Sequence, residues 1–417
     1  MALTPVDVAL ATIQSVAAIP QLPTEIVALE AAAGRVLATP IQSPMNLPPF
    51  DNSAMDGYAL PESIGLPAPG SSLMVGGELA AGADPGAMAR QSALAIMTGA
   101  ALPPGYGSVV PVEDVEVEAR DSTGRVTQIR LLKPVRAGQH CRRAGEDIAR
   151  GQRVLAEGHR LRTSDLPILR GIGVEQLMVR ARPRVALLCT GGELVAPGAE
   201  LGPGQIHDTN SLSLSLTLRA AGAEIVLVRR FGDDPDVFRM ALQAAREAGA
   251  DLVVSTGAVS MGRYDFIPEA LRQLGAQQHF HKLAMRPGKP LLFATLPDGS
   301  LYFGLPGNPV SSLVGARFFV NAAVRTLLGL PAETPRFLPL SAAVAQKPPL
   351  TMFQKARLLH DVGEPLRVER LAGQESFRMA PLLEADAWAV LPADAEQLPI
   401  GALVPVYPLE PGSALFP

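Results

Sequence analysis

Val185-Ala-Leu-Leu-Cys189 opens the most constraining stretch of the chain: an unbroken apolar run, after which helical and apolar segments alternate to about residue 328. A strand that is apolar at every position has no solvent face, so both of its faces must be covered. Asn210 is placed to cap a helix running to about Ala221. The spacing then predicts strands over 225–228, 252–254 and 301–303, and helices over 236–248, 266–274 and 309–328. Alternation of this kind predicts an open, mostly parallel sheet with helices on both faces.

The rest of the chain reads differently. Thr4-Pro5 predicts a capped helix start, with Val6, Leu10, Ile13 and Ala17 on one face. Between 44 and 148 the segments are short, β-branched and bounded by Gly or Pro, as at 93–97, 108–112 and 126–132. That predicts a β-rich domain. Residues 164–169 predict a short helix, Pro331 to Pro335 a linker, and 336–417 a second small β domain. With 417 residues the chain exceeds one core. The expected fold class is therefore α/β multidomain.

Thirty-six basic and 40 acidic residues give a net charge of −4, which argues against a general nucleic-acid binder but leaves room for a local basic pocket. Cys141 and Cys189 build neither a disulfide framework nor a Cys-x-x-Cys metal site. No apolar run reaches the roughly 18 residues of a membrane span, and the N-terminus lacks a signal-peptide pattern. A cytoplasmic protein without a membrane partner is expected.

In open α/β sheets ligands lie outside the C-terminal ends of the strands, and the polar clusters fall there. They are Thr190-Gly-Gly-Glu-Leu194, the glycine loop 255–262 followed by Asp265, and Gly304-Leu-Pro-Gly-Asn-Pro-Val-Ser-Ser312. In the last, Asn308 follows Gly307 as an N-cap, and Ser311 and Ser312 occupy the first helical turn. Free N–H groups and the helix dipole make such a start an anion site. Met285-Arg-Pro-Gly-Lys-Pro290 is its companion, with Arg286 and Lys289 suited to phosphate or another tetrahedral oxyanion. Glu193, Asp208 and Asp265 beside phosphate oxygens predict Mg²⁺, although helix capping is an equal alternative for Asp208. His207, His279 and His281 lack zinc spacing and are expected to be satisfied locally. The glycine loop is neither a P-loop nor a dinucleotide fingerprint. Residue chemistry alone stops at a Mg²⁺-dependent site for a phosphorylated ligand. It leaves Pro48-Pro-Phe-Asp-Asn-Ser-Ala-Met-Asp-Gly-Tyr-Ala59, with Asp51 and Asp56, as a tight turn.

Eight segments in order resemble the molybdopterin molybdenumtransferase (MoeA) family, to which the C-terminal part of gephyrin is related. They are PPFDNSAMDGYA at 48–59, IMTGA at 96–100, AGEDI at 144–148, TGGEL at 190–194, HDTNS at 207–211, STGAVSMGRYDF at 255–266, MRPGKP at 285–290 and GLPGNPVSS at 304–312. The resemblance implies four domains: a molybdopterin-binding α/β domain (1–26 and 180–329), a small discontinuous domain (27–44 and 149–179), an inserted β-rich domain (45–148) and a C-terminal β domain (330–417). It also implies a homodimer whose active sites are lined by both chains. The substrates it implies are adenylylated molybdopterin and molybdate, with Mg²⁺ assisting and AMP and molybdenum cofactor released. Asp56, Thr98, Asp147, Glu193 and Asp265 match catalytic positions of the family. Arg286 and Lys289 match its anion loop, and Ser312 a helix start near molybdate.

Two departures stand out. Where the family often shows Gly-Arg-x-x-Phe-x-Arg, this chain has Pro349-Leu350-Thr-Met-Phe-Gln-Lys355; Ala380 and Pro381 replace its paired serines. Lys355 and Arg357 are the residues placed to compensate. These departures favour a rival from another class, a molybdopterin-binding or scaffold protein with weak or no insertion activity. Ala258 also stands where the family usually has glycine.

Overall fold

The computed structural model describes residues 3–86, 91–259, 266–346, 348–361 and 363–413. The chain forms two compact units. The smaller comprises Ile26–Ala33 and Leu37–Met178, the larger Met1–Glu25, Gly34–Val36 and Val179–Pro417.

In the smaller unit a six-stranded sheet runs in the spatial order Tyr106–Pro111, Gly57–Pro61, Ala93–Ile96, Ser72–Leu79, Val126–Leu131, Val115–Arg120. Successive strand residues point to opposite faces, and both faces are packed here. Tyr58 joins Val110, Ile129 and Leu131 in one cluster, while its neighbour Ala59 joins Leu94, Tyr106 and Val109 in another. A short helix, Asp165–Gly171, falls where the 164–169 pattern expects one.

The larger unit carries α1 (Val6–Ala17), β1 (Arg184–Thr190), α2 (Asn210–Ala221), β2 (Glu224–Phe231), α3 (Pro235–Glu247), β3 (Leu252–Thr256), α4 (Ile267–Gln273), β4 (Gln277–His281), β5 (Leu292–Thr295), β6 (Leu301–Leu305) and α5 (Pro309–Val314). The sheet order is β2-β1-β3-β6-β5-β4. Its first four strands are parallel, and β5 and β4 extend it antiparallel. Leu187 of β1 packs beneath α1, α2 and the helix that follows β6, with Ile13, Leu214 and Phe319. Its neighbour Leu188 packs on the other face, with Phe238 of α3 and Leu271 of α4. The apolar run that opened the sequence is apolar throughout because it serves both layers.

Two local features differ from expectation. Thr4 does not cap α1: the cap position is Pro5, without a side-chain bond. Thr4 instead pairs through its backbone, donating its N–H to Lys282 O and accepting from Ala284 N–H. The helix expected over 309–328 is interrupted by a π turn, Gly315–Val320, before α6 (Asn321–Leu327). Arg317 in that turn is fully buried. It makes a bidentate pair with Glu333, at 2.7 Å to each oxygen, and donates to Pro408 O. This fastens the linker and the C-terminal sheet to the helix.

The C-terminal sheet runs Met285–Arg286, Thr351–Leu359, Ala387–Leu391, Leu403–Pro408, Arg336–Pro339, with Arg367–Arg370 paired to the second strand. Its first strand is the beginning of the 285–290 turn, so that turn is tied into the C-terminal sheet. Among the described residues no helix is long and apolar enough to cross a membrane.

Candidate active site

In the smaller unit the answer to the Asp51–Asp56 pair is a division of labour. Asp51 accepts from Ala144 N–H (2.8 Å) and Arg143 Nη1 (2.6 Å) and so brackets two loops together. Asp56 Oδ1 accepts from Thr98 N–H (2.7 Å) and Thr98 Oγ1–H (2.8 Å), with the carboxylate at the surface. The Thr98 backbone donor, then its hydroxyl, hold the Asp56 carboxyl below the usual range. Further bonds close the cluster. Ser53 N–H donates to Ala100 O, Gly99 N–H to Ser53 O, and Asp147 N–H to Leu47 O. Segments 48–59, 96–100 and 144–148 therefore converge, with the Asp147 side chain exposed.

In the larger unit the loops at the strand ends are stitched to one another. Thr190 Oγ1–H donates to Thr256 O (3.0 Å), and Gly257 N–H to Leu305 O (3.0 Å). Gly257 has φ +88°, and a Cβ there would stand 2.7 Å from Thr190 O, so no side chain fits. Ala258 keeps a positive φ of 52°, the left-handed conformation for which glycine is the usual choice. Asp265 lies outside the described residues. Asn210 does not cap α2. Its Nδ2 donates to Gly307 O (2.8 Å), and its Oδ1 lies 3.1 Å from Ser312 Oγ, bracing the 304–312 loop. Capping falls to Asp208, whose Oδ1 accepts from Ser211 N–H (2.9 Å).

Three expectations for the helix start need correction. Ser312 is fully buried, its hydroxyl turned to Asn210 and to Pro309 O (3.0 Å), and Ser311 is buried as well. The Ser312 hydroxyl is thus taken up by bonds within the loop's own packing. Asn308 occupies the cap position without a side-chain cap bond. Val310 N–H, expected to be open, donates to Ser376 O of the C-terminal domain (3.1 Å). The 285–290 turn does meet this helix start. Gly288 has φ +96°, and a Cβ on it would lie 3.5 Å from Ser311 O. Arg286 and Lys289 are both exposed beside it.

The histidines are satisfied locally. His207 donates to Ala199 O, His281 to Val259 O, and His279 Nε2 lies 2.8 Å from Thr295 Oγ1. Both cysteines are unpaired, and burial pushes the Cys189 thiol up to about 11.

Mg²⁺ typically takes one or two carboxylates and completes its octahedron with phosphate oxygens and water. Asp208 does not fit: one oxygen is committed to capping, and the other is buried 3.8 Å from the Arg230 guanidinium, which already supplies the positive charge. Glu193 is exposed and fits a shell shared with ligand phosphates. Among the described residues no group of three metal-ligating side chains assembles.

The C-terminal cations placed to replace the missing arginine are engaged. Lys355 is fully buried and donates from Nζ to Arg378 O (2.8 Å); burial lowers its pKa. Arg357 pairs with Glu369 at 2.6 Å.

An α/β sheet, parallel in its first four strands, thus carries glycine-rich loops and exposed cations at its C-terminal edge. Residues 4–173 match the MoeA N-terminal region (domain I and II), 186–326 a probable molybdopterin binding domain, and 338–409 the MoeA C-terminal region (domain IV). The molybdopterin molybdenumtransferase of Synechococcus elongatus is 37% identical over 94% of this chain and 96% of its own length. That of Haemophilus influenzae is 33% identical over 92% and 94%. The crystal structure of a molybdopterin biosynthesis moeA protein from Pyrococcus horikoshii superposes with a TM-score of 0.80 at 27% identity, covering 97% of this chain and 99% of that one. The chain belongs to the molybdopterin molybdenumtransferase (MoeA) family.

Proposed function

We propose that this chain is a transferase of molybdenum cofactor biosynthesis that inserts molybdate into adenylylated molybdopterin, releasing AMP and molybdenum cofactor. The observation that carries this reading is the 285–290 turn packed on the first turn of α5, with Arg286 and Lys289 open beside it. Molybdate is a dianion, and bringing it to a phosphoanhydride gathers negative oxygens in one place. Cations fixed beside a helix start relieve that repulsion. Cleavage of the anhydride needs charge stabilisation and positioning more than a strong nucleophile. Within the larger unit Glu193 is the described carboxylate available to orient the attacking oxygen; Asp56 and Asp147 are the catalytic candidates of the smaller unit. Mg²⁺, when bound, adds positive charge at the phosphates, and Glu193 is the described carboxylate with an open approach to it.

The working form in this reading is a homodimer in which both copies serve each site. Leu212 and Leu216, one turn apart on α2 and 63% and 57% exposed, support it as an apolar stripe in need of cover. Leu216→Glu is expected to shift the protein to monomer in sedimentation, and an unchanged dimer would remove that stripe from the interface. The unpaired cysteines support a reducing, cytoplasmic setting.

The commitment of Lys355 and Arg357 to internal partners favours a second reading, molybdopterin binding without efficient insertion. One experiment separates the two. Purified protein is mixed with adenylylated molybdopterin, molybdate and Mg²⁺, and AMP and active cofactor are followed. Release of both supports insertion; tight pterin binding without AMP supports the second reading.

A further inference from the structure

Phe377 is 64% exposed, yet the loop that carries it is fixed on both sides. Ser376, just before it, accepts from Val310 N–H (3.1 Å). Arg378, just after it, accepts from the buried Lys355 Nζ (2.8 Å). Gln374 ties the same loop to Lys355, accepting from its N–H and donating to its carbonyl. The Arg378 side chain is steadied by Glu375 at 3.2 Å, with its guanidinium 5.9 Å from the Phe377 ring centre. The ring is thus presented by a preorganised loop, a condition that lowers the cost of binding. It opens on a groove of about 560 Å³ lined by Leu371, Met379, Ala380 and Pro381 as well as Phe377 itself, with the charged Arg378 and Glu384 also in its wall. That volume is of the size of small-ligand pockets.

We propose that this groove is a nucleobase site, with Phe377 as the stacking surface for the purine of an adenylylated ligand. A base is planar, with apolar faces and polar edges; the open aromatic ring and the apolar wall match those faces, and Arg378 and Glu384 supply polar groups for the edges. The base and phosphate of a nucleotide are separated by a single sugar. Ring and helix start are separated here by one residue and one hydrogen bond, from Phe377 through Ser376 to Val310. In the reading above, the phosphate is held by the 285–290 turn with Lys289. The proposal rests on the reading above that the ligand is an adenylate.

Calorimetric titration of the full-length protein with AMP and with ribose 5-phosphate tests it. AMP is expected to bind at least about tenfold more tightly, a difference of about 1.4 kcal/mol, within the range for stacking one base. Phe377→Ala is expected to abolish that advantage and leave ribose 5-phosphate unchanged, while Phe377→Trp retains it. Equal affinities in the unmodified protein, or an AMP advantage that survives Phe377→Ala, would overturn the base site; the second outcome leaves the groove to another occupant, such as an apolar segment of a partner protein. Lys289→Ala serves as the separate control and is expected to weaken both ligands by the same factor. If it changes neither while Phe377→Ala acts as expected, the anion reading fails and the base site stands.

Discussion

In the smaller unit the loops are arranged around a carboxylate that is itself the hydrogen-bonded group. Asp56 is held by two donors from Thr98, and Asp51 by Ala144 and Arg143. In the larger unit the bonds run between the loops, through Thr190, Asn210 and Ser312, and the charged side chains Arg286 and Lys289 are left out of them. The contrast follows from the groups. A carboxylate accepts several bonds in fixed directions, so its position and its ionisation can be set together. Lysine and arginine carry charge on flexible stems, so the chain fixes the ground beneath them and lets the heads follow the ligand. Precision is thus built into the acids, and adaptability into the cations.

The largest effect that would break this contrast is expected at Asp56. Asp56→Asn keeps an oxygen for Thr98 but loses the charge, so AMP release should fall by about a hundredfold or more, with the melting temperature nearly unchanged. Full activity would show that the carboxylate is only a loop bracket, as Asp51 is. Next is the brace. Asn210→Ala leaves Gly307 O without its donor, while the Ser312 hydroxyl keeps Pro309 O, and should cost about 1–3 kcal/mol in urea unfolding. Loss of ligand affinity without loss of stability would mean that Asn210 touches the ligand and is not a brace. The smallest effect sharpens the acid side. Thr98→Val keeps the backbone donor and removes the hydroxyl. Both donors lower the Asp56 pKa, so the variant should protonate Asp56 at higher pH. Its activity should therefore be lost earlier as pH falls. An acid limb that stays in place would separate Asp56 from the titrating group.

What could be read from the residues divides along the same physical line. The strands β1, β3 and β6 were legible because burial on both faces leaves a continuous apolar signature. β4 was not: Gln277-Gln-His-Phe-His281 lies at the edge of the sheet, where only Phe280 is buried and the pattern is polar. The π turn at 315–320 was invisible because this helix is buried on nearly all sides, so an extra residue disturbs no polar face that a pattern could record. The capping role expected of Asn210 falls to Asp208, for which capping was one of two equal readings, because a polar side chain near a helix start can cap or reach outward, and only the neighbouring loop decides. Ser312 looked like a ligand-facing hydroxyl for the same reason. The identity of the loops was carried by their order along the chain. Their internal bonds, and the Ser376 carbonyl on Val310, depend on contacts between segments far apart in sequence, which no local pattern records.

The most direct test of the account is the affinity for inorganic pyrophosphate, measured at low salt, in the unmodified protein and in the double variant Arg286→Ala/Lys289→Ala. If the turn and helix start gather the ligand's oxyanions, the double variant should bind about tenfold or more weakly, with the gap narrowing as salt screens the charges. Equal affinity at low salt would contradict the account and move the oxyanions elsewhere in the molecule.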